Sequence, residues 1–368
     1  MGKMVLYNTS CLDISRTHTP DPWITYSPYT RKFYLTHTGN DRIPMWDARS
    51  LMDFYANPNR GPIYMASPNG GPQSERLWAP ELHALRGRWY IYFAGADKAI
   101  GNRSHRMYVL GGPPAEEDPH AGVWELLGPI RGMEMGQWAI DGTVFEVGGE
   151  MYFCYSGWPR KEMSPTGWEE RSESLQQLFL IRLADPVTAC SEAVMISHPT
   201  EAWERLGERG PAINEGPQWL ESPTGQWRGI VFSCSASWTK EYKMATLQYL
   251  GGGRDPLDPE SWQKSEKPLI QNREDGIGPY GPGHGCFLHG ADGETVALFH
   301  ATDQETDGNQ NRRCRMQRVR WTPAGPDMGG YVGASTKDVD VFLQGSRKEG
   351  QKNEMRGLRG LVHAVKGV

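Results

Sequence analysis

The chain has 368 residues, with 39 basic side chains against 44 acidic ones and a formal net charge of −5. That length suffices for a substantial core, and that balance supplies no dominant positive field for a phosphate backbone, so nucleic acid is not an expected partner. No stretch reaches the roughly 20 apolar residues of a membrane span, and 44 Gly and 27 Pro argue for many turns rather than long helices.

The first residues, Met1 to His18, lack the apolar segment of a secretory signal, and Leu6 stands where a myristoylation pattern needs Ser or Thr. Both a cytoplasmic protein and a secreted one whose leader is absent from this sequence fit, so the compartment stays open. The Cys residues at 11, 154, 190, 234, 286 and 314 form no C-x-x-C pair, and several lie in apolar strand-like runs. Buried free thiols are expected, rather than a zinc site or a disulfide framework. Two glycosylation sequons, at Asn8 and Asn102, are too common by chance to decide anything.

Taken in chain order, five segments repeat one plan: a polar residue near Pro or Gly, a turn, then an aromatic-rich β run. The first is Asp21-Pro22-Trp23, a turn at Ser27-Pro28, and the run 32–36. The second is Trp78-Ala79-Pro80-Glu81, a turn at Arg86-Gly87, and 89–93. The third is Ile140-Asp141-Gly142, a turn at Gly148-Gly149, and 151–155. The fourth is Asn214-Glu215-Gly216-Pro217, a turn at Thr224-Gly225, and 227–232. The fifth is Gly283-His284, a turn at Asp292-Gly293, and 295–300. Each reads as a hairpin rich in β-branched and aromatic residues. Further strand candidates, such as 105–110 and 177–182, lie between the hairpins. The leading polar residues stand at 21, 81, 141, 215 and 284, spaced for a four-stranded sheet per unit. The predicted fold is all-β, a five-bladed β-propeller over residues 1–332. Beyond 332 the pattern breaks, and the basic, Gly-punctuated segment 333–368 is expected to be a solvated or disordered extension.

In a propeller the first strand of each blade lines the central channel, so Asp21, Glu81, Asp141, Glu215 and His284 would converge on one cleft. Carboxylates gathered in one pocket shift one another's pKa, a cost that chemistry or a bound cation explains. Glycoside hydrolysis needs such a set, with one carboxylic acid protonated and a second carboxylate ionised. The 14 Trp and 15 Tyr fill cores, and their faces also suit sugar rings.

These motifs together resemble glycoside hydrolase family 43, the inverting pentosidases on a five-bladed propeller, over roughly residues 20–325. The resemblance rests on Asp21-Pro22-Trp23, Trp78-Ala79-Pro80-Glu81-Leu82, the runs 89–94 and 139–145, Asn214-Glu215-Gly216-Pro217, and Gly281-Pro282-Gly283-His284. It implies Asp21 as general base, Glu215 as general acid and Asp141 as the third carboxylate, which orients the acid and raises its pKa. It further implies His284 beside a structural calcium or other axial ion. Arg312 would contact the sugar, with Arg313 and Arg315 as competitors. Trp78 and Trp158 are candidate sugar platforms or packing residues, and Glu81 is expected to be structural. The substrate would be an arabinose- or xylose-containing polysaccharide or oligosaccharide. The stretches 34–36, 102–108 and 315–317 look nearest to exo-acting α-L-arabinofuranosidases, with β-xylosidase and endo-arabinanase as alternatives. An invertase-like reading meets Gly142 where that class carries Pro after Arg-Asp. A non-catalytic carbohydrate-binding propeller would have no need of three acids.

Overall fold

The computed structural model describes residues 10–159, 175–207, 210–290 and 293–344. Among the described residues strands dominate, and the two α-helices, Leu51–Ala56 and Val339–Gln344, are short. No helix among the described residues is long and apolar enough to cross a membrane.

The strands fall into consecutive antiparallel units. Trp23–Ser27, Lys32–Thr36, Arg42–Ala48 and Asn59–Met65 make the first. Glu75–Leu85, Arg88–Ala96, Arg106–Pro114 and Glu125–Pro129 make the second. The third is Ala139–Val147, Glu150–Gly157 and Leu175–Asp185, edged by Val194–Ser197. The fourth is Ala212–Glu221, Arg228–Cys234 and Lys243–Tyr249, edged by Trp262–Lys264. The fifth is Tyr280–His289, Thr295–Thr302 and Arg313–Thr322, and its fourth strand is Ser10–Asp13 from the start of the chain.

Hydrogen bonding alone counts four sheets, because a two-residue parallel contact (Leu175 with Ala212, Gln176 with Ile213) fuses units three and four into eleven strands. Burial separates them again. Five apolar clusters lie between units one and two, two and three, three and four, four and five, and five and one. The first strands of neighbouring units touch in the same closed cycle. A ring of sheets that bury their faces on one another is the propeller solution to packing β-sheets, and borrowing Ser10–Asp13 closes the last sheet with the chain's start.

One irregularity recurs in every unit. Two residues of the first strand oppose one residue of the second: Ala79 and Pro80 face Phe93, Asp141 and Gly142 face Tyr155, Gly216 and Pro217 face Phe232, and His284 and Gly285 face Phe299. In the first unit Asp21 and Pro22 stand against His37, between the Trp23–Thr36 pair and the Thr38 N–H bond to the Pro20 carbonyl. The leading residue of each bulge is left-handed, with φ of 54° at Asp21, 43° at Ala79, 56° at Asp141, 54° at Gly216 and 47° at His284. The second is always Pro or Gly. Pro has no N–H to lose from the ladder, and a Cβ on Gly142 would lie 2.0 Å from Phe153. A left-handed non-Gly residue costs roughly 1–2 kcal/mol. The ring therefore concentrates strain at one level of the channel.

The segment from 333 onward does not begin as a free extension. Ala334–Thr336 pairs in parallel with Ser10–Asp13, and Phe342 and Leu343 are buried in the cluster between units five and one. Apolar residues at 339, 341, 342 and 343 give this stretch a face to bury, which its charged surroundings mask in the sequence. Residues 345–368, with the basic runs, lie outside the described residues. Five of the six cysteines are buried free thiols and Cys190 is exposed.

Candidate active site

The bulges bring Asp21, Asp141, Glu215 and His284 to one end of the channel. Their equivalence differs from the sequence expectation. The repeating positions are 21, 79, 141, 216 and 284, so Glu215 stands one residue before the leading residue of its bulge and Glu81 two residues after that of its own. The recurring feature is the left-handed residue followed by Pro or Gly, not the acid.

Asp21 is the most heavily anchored carboxylate. Thr38 Oγ1 donates to its Oδ2 at 2.6 Å and Arg312 NH1 donates to its Oδ1 at 3.3 Å. The Nδ1 atoms of His284 and His300 each lie 3.4 Å from Oδ1. Burial would raise this carboxyl, but Arg312, His284, His300 and the Thr38 hydroxyl outweigh it and hold Asp21 well below the usual carboxylate range. Burial also lowers both histidines toward the neutral form, which leaves Arg312 as the lasting positive charge. The Asp21 N–H donates to His300 Nδ1 at 3.1 Å, a bond that requires the proton of the neutral ring on Nε2.

Asp141 and Glu215 are pushed the other way. Asp141 accepts the Gly216 N–H at 3.1 Å and lies 3.8 Å from His284 Nδ1. Burial, then the charges of Glu215, Asp21 and Glu81, raise it well above an ordinary aspartate. Burial also raises Glu215, to about 7, with Asp21 adding repulsion and the Tyr242 hydroxyl and Arg312 pulling back. Two close buried carboxyls share their titration, so the pair retains a proton into the neutral range. The cleft can thus present one ionised and one protonated carboxyl at the same pH.

A second pattern, absent from the sequence reading, fixes the bulges to one another. In three of the five units the residue paired with the pre-bulge position reaches the next blade: Thr38 Oγ1 accepts the Ala79 N–H at 2.8 Å, Ser233 Oγ accepts the His284 N–H at 2.7 Å, and His300 accepts that of Asp21. Thr38, Ser233 and His300 occupy the same place in the repeat, at or just past the end of the aromatic run. That shared place is the signal that could have found them.

The remaining expected residues divide. Arg312 is in the cleft, whereas Arg315 is wholly buried with Asp13, Asp303 and Ser335, and Arg313 pairs with Asp303 at 2.9 Å. Glu81 is buried and accepts from Gln218 Nε2 and, at 2.8 Å, from His83, so it ties units two and four together. Trp78 stays partly exposed, stacked on His105 at 4.1 Å with its Nε1 donating to Asn40 at 3.0 Å. Trp158 is only 3% exposed and one face is covered by Trp138 at 4.7 Å, so it packs rather than offering a platform. Among the described residues no group of three or more His, Cys, Asp or Glu is arranged to hold a metal ion. Calcium prefers about six to eight oxygens, and an ion beside His284 would have to complete its shell with water.

The sequence matches the model for glycosyl hydrolases family 43 over residues 13–326. It is 32% identical over 307 residues to an extracellular exo-α-(1→5)-L-arabinofuranosidase of Streptomyces avermitilis, covering 81% of this chain and 59% of that protein. It is 31% identical to the α-L-arabinofuranosidase 43 of Humicola insolens, with the same coverage of each. The chain thus spans about three-fifths of the length of these two curated relatives. In structure it resembles an α-L-arabinofuranosidase from Lactobacillus brevis, with a TM-score of 0.74, 27% identity, and coverage of 88% of this chain and 97% of that one. The family match takes in every bulge residue and every side chain of the cleft named above, and the chain belongs to glycosyl hydrolases family 43.

Proposed function

We propose that the protein is an inverting, exo-acting α-L-arabinofuranosidase that removes terminal arabinofuranosyl residues from arabinan or arabinoxylan-type chains. The observation that carries this reading is the contrast in one cleft between Asp21, held ionised, and Glu215, held protonated up to about pH 7. Asp21 Oδ takes a proton from water as that water's oxygen attacks the anomeric carbon. Glu215 gives its proton to the glycosidic oxygen as the bond from that oxygen to the anomeric carbon breaks. Asp141 modulates Glu215 by sharing the proton of the coupled pair, and Arg312 fixes Asp21 and reaches the sugar. The arabinofuranosyl choice is supported by the names of the relatives that share about a third of the sequence. Trp78 is proposed as a sugar platform, and a water-shelled calcium ion beside His284 as a structural aid.

The test compares wild-type protein with Glu215→Gln on aryl α-L-arabinofuranoside, aryl β-D-xyloside and arabinan. Arabinose release from arabinan that falls by about 10²–10⁴-fold in the variant is expected. Xylose as the main product would move the reading to a β-xylosidase, and no release from any substrate would leave a binding propeller. Chelation should lower the melting temperature if the calcium ion is there, and an unchanged melting temperature removes it from the proposal.

A further inference from the structure

Tyr242 is fully buried beside the carboxylates and has no task in the reaction described above. Its ring occupies space that a glycine provides: a Cβ on Gly283 would lie 2.1 Å from Tyr242 Cε1. The ring stacks on His300, with centroids 5.6 Å apart and planes 9° from parallel, and His300 in turn holds the Asp21 N–H. Aromatic packing thus fixes the phenol between the base and the acid.

The hydroxyl end is unfinished. It makes no hydrogen bond of full geometry among the described residues, although a buried hydroxyl left unpaired is destabilising. Its polar neighbours are Glu215 and Ser233. Ser233 Oγ already accepts the His284 N–H, so its own proton can serve the Tyr242 oxygen and leave the phenol proton for Glu215. The other charged and titratable groups facing this place are Asp21, Asp141 and Arg312, with His284 and His300 on the neighbouring blade. Once Glu215 has given up its proton, its anion sits buried near two other carboxylates. A neutral donor at that point offsets the repulsion.

We propose that Tyr242 positions the acid, its hydroxyl donating to the Glu215 carboxylate as the Glu215 O–H bond breaks. The proton from Glu215 goes to the leaving oxygen, the phenol keeps its own, and no covalent bond of Tyr242 changes. The inference rests on Glu215 being the acid.

The experiment is a carboxyl ¹³C NMR titration of protein labelled at the glutamate side-chain carbon, with the Glu215 resonance assigned through Glu215→Gln. It needs no substrate. Tyr242→Phe keeps the ring and its stacking, and should raise the Glu215 midpoint by about one pH unit, the size of a hydrogen bond to a charged group. The alkaline limb of kcat/KM on arabinan should move upward with it. Incorporation of 3-fluorotyrosine at position 242, a stronger donor, should move the midpoint down, which decides the matter if the Phe variant does not fold. An unchanged midpoint in an active enzyme overturns the role of Tyr242 alone. A midpoint that shifts in the variants while the wild-type protein releases no sugar overturns the acid assignment, and the positioning role with it.

Discussion

The propeller holds two buried clusters of charge, and they solve the same problem in opposite ways. Where blade five is closed, Arg315 is 0% exposed and is surrounded by Asp13, Asp303 and the Ser335 hydroxyl. Its cation meets two anions, Asp13 in the strand Ser10–Asp13 and Asp303 just past the strand Thr295–Thr302, so burial is offset by pairing. At the channel end, three carboxylates share one cation, Arg312, which bonds directly to only one of them, Asp21. The first cluster holds the N-terminal strand and the segment after 333 to the ring. The second leaves Asp141 and Glu215 to repel each other and to hold a proton where an ordinary carboxyl would lose it. Paired buried charge marks structure, and unpaired like charge at a strained bulge marks chemistry.

The largest effect that would sharpen this contrast is on rate. Asp21→Asn should lower kcat/KM on arabinan by up to about 10⁴-fold, with a smaller fall in melting temperature because the charge that Arg312 and Thr38 hold is lost, as steady-state kinetics and calorimetry can show together. Arg315→Met should do the reverse. It strands Asp13 in the interior, so urea unfolding should report a loss of about 3–5 kcal/mol, with kcat of the folded protein preserved. Adding Asp13→Asn to that variant should recover part of the loss.

A smaller effect should separate the clusters by pH. Glu215 has a folded pKa raised above its unfolded value, so its contribution to stability is full below about pH 4.5 and is lost as pH rises toward about 7. Glu215→Gln cannot ionise and should therefore stabilise the protein at pH 8, on the order of 2 kcal/mol, with no gain at pH 4. Thermal unfolding at the two pH values checks the sign, and a variant less stable at pH 8 would break the comparison. The smallest change is expected from Arg312→Lys. It keeps a charge near Asp21 but loses the planar fork, and kcat/KM should fall about tenfold.

Much of this was legible in the sequence because a propeller writes its period into the chain. Aromatic runs at a spacing of 60 to 74 residues gave the five units, and Asp21, Asp141, Glu215, His284 and Arg312 do meet at one end. The register was less legible. Acidity drew the eye to Glu81 and Glu215, whereas backbone conformation repeats at Ala79 and Gly216, and a dipeptide such as Ala79-Pro80 has no chemical mark of its own. Trp158 could not be judged because a tryptophan after a strand stacks equally well on a sugar or on Trp138. His300, Thr38 and Ser233 share a place in the repeat, but the hydrogen bonds by which they act cross from one blade to the next, so their partners could be read only from the fold. The packing of Phe342 and Leu343 was hidden for a similar reason: their partners lie in blades one and five, far away in sequence.

The most direct test of the central claim, that one cleft holds Asp21 ionised and Glu215 protonated, is the pH dependence of kcat/KM on a short arabinan oligosaccharide. Activity should fall as pH rises through about 7, where Glu215 loses its proton, and should persist on the acid side below the ordinary carboxylate range, because Asp21 stays ionised. The alkaline fall should be missing from the residual activity of Glu215→Gln. An acid limb near the usual carboxylate value of about 4, with no fall near 7, would contradict the account.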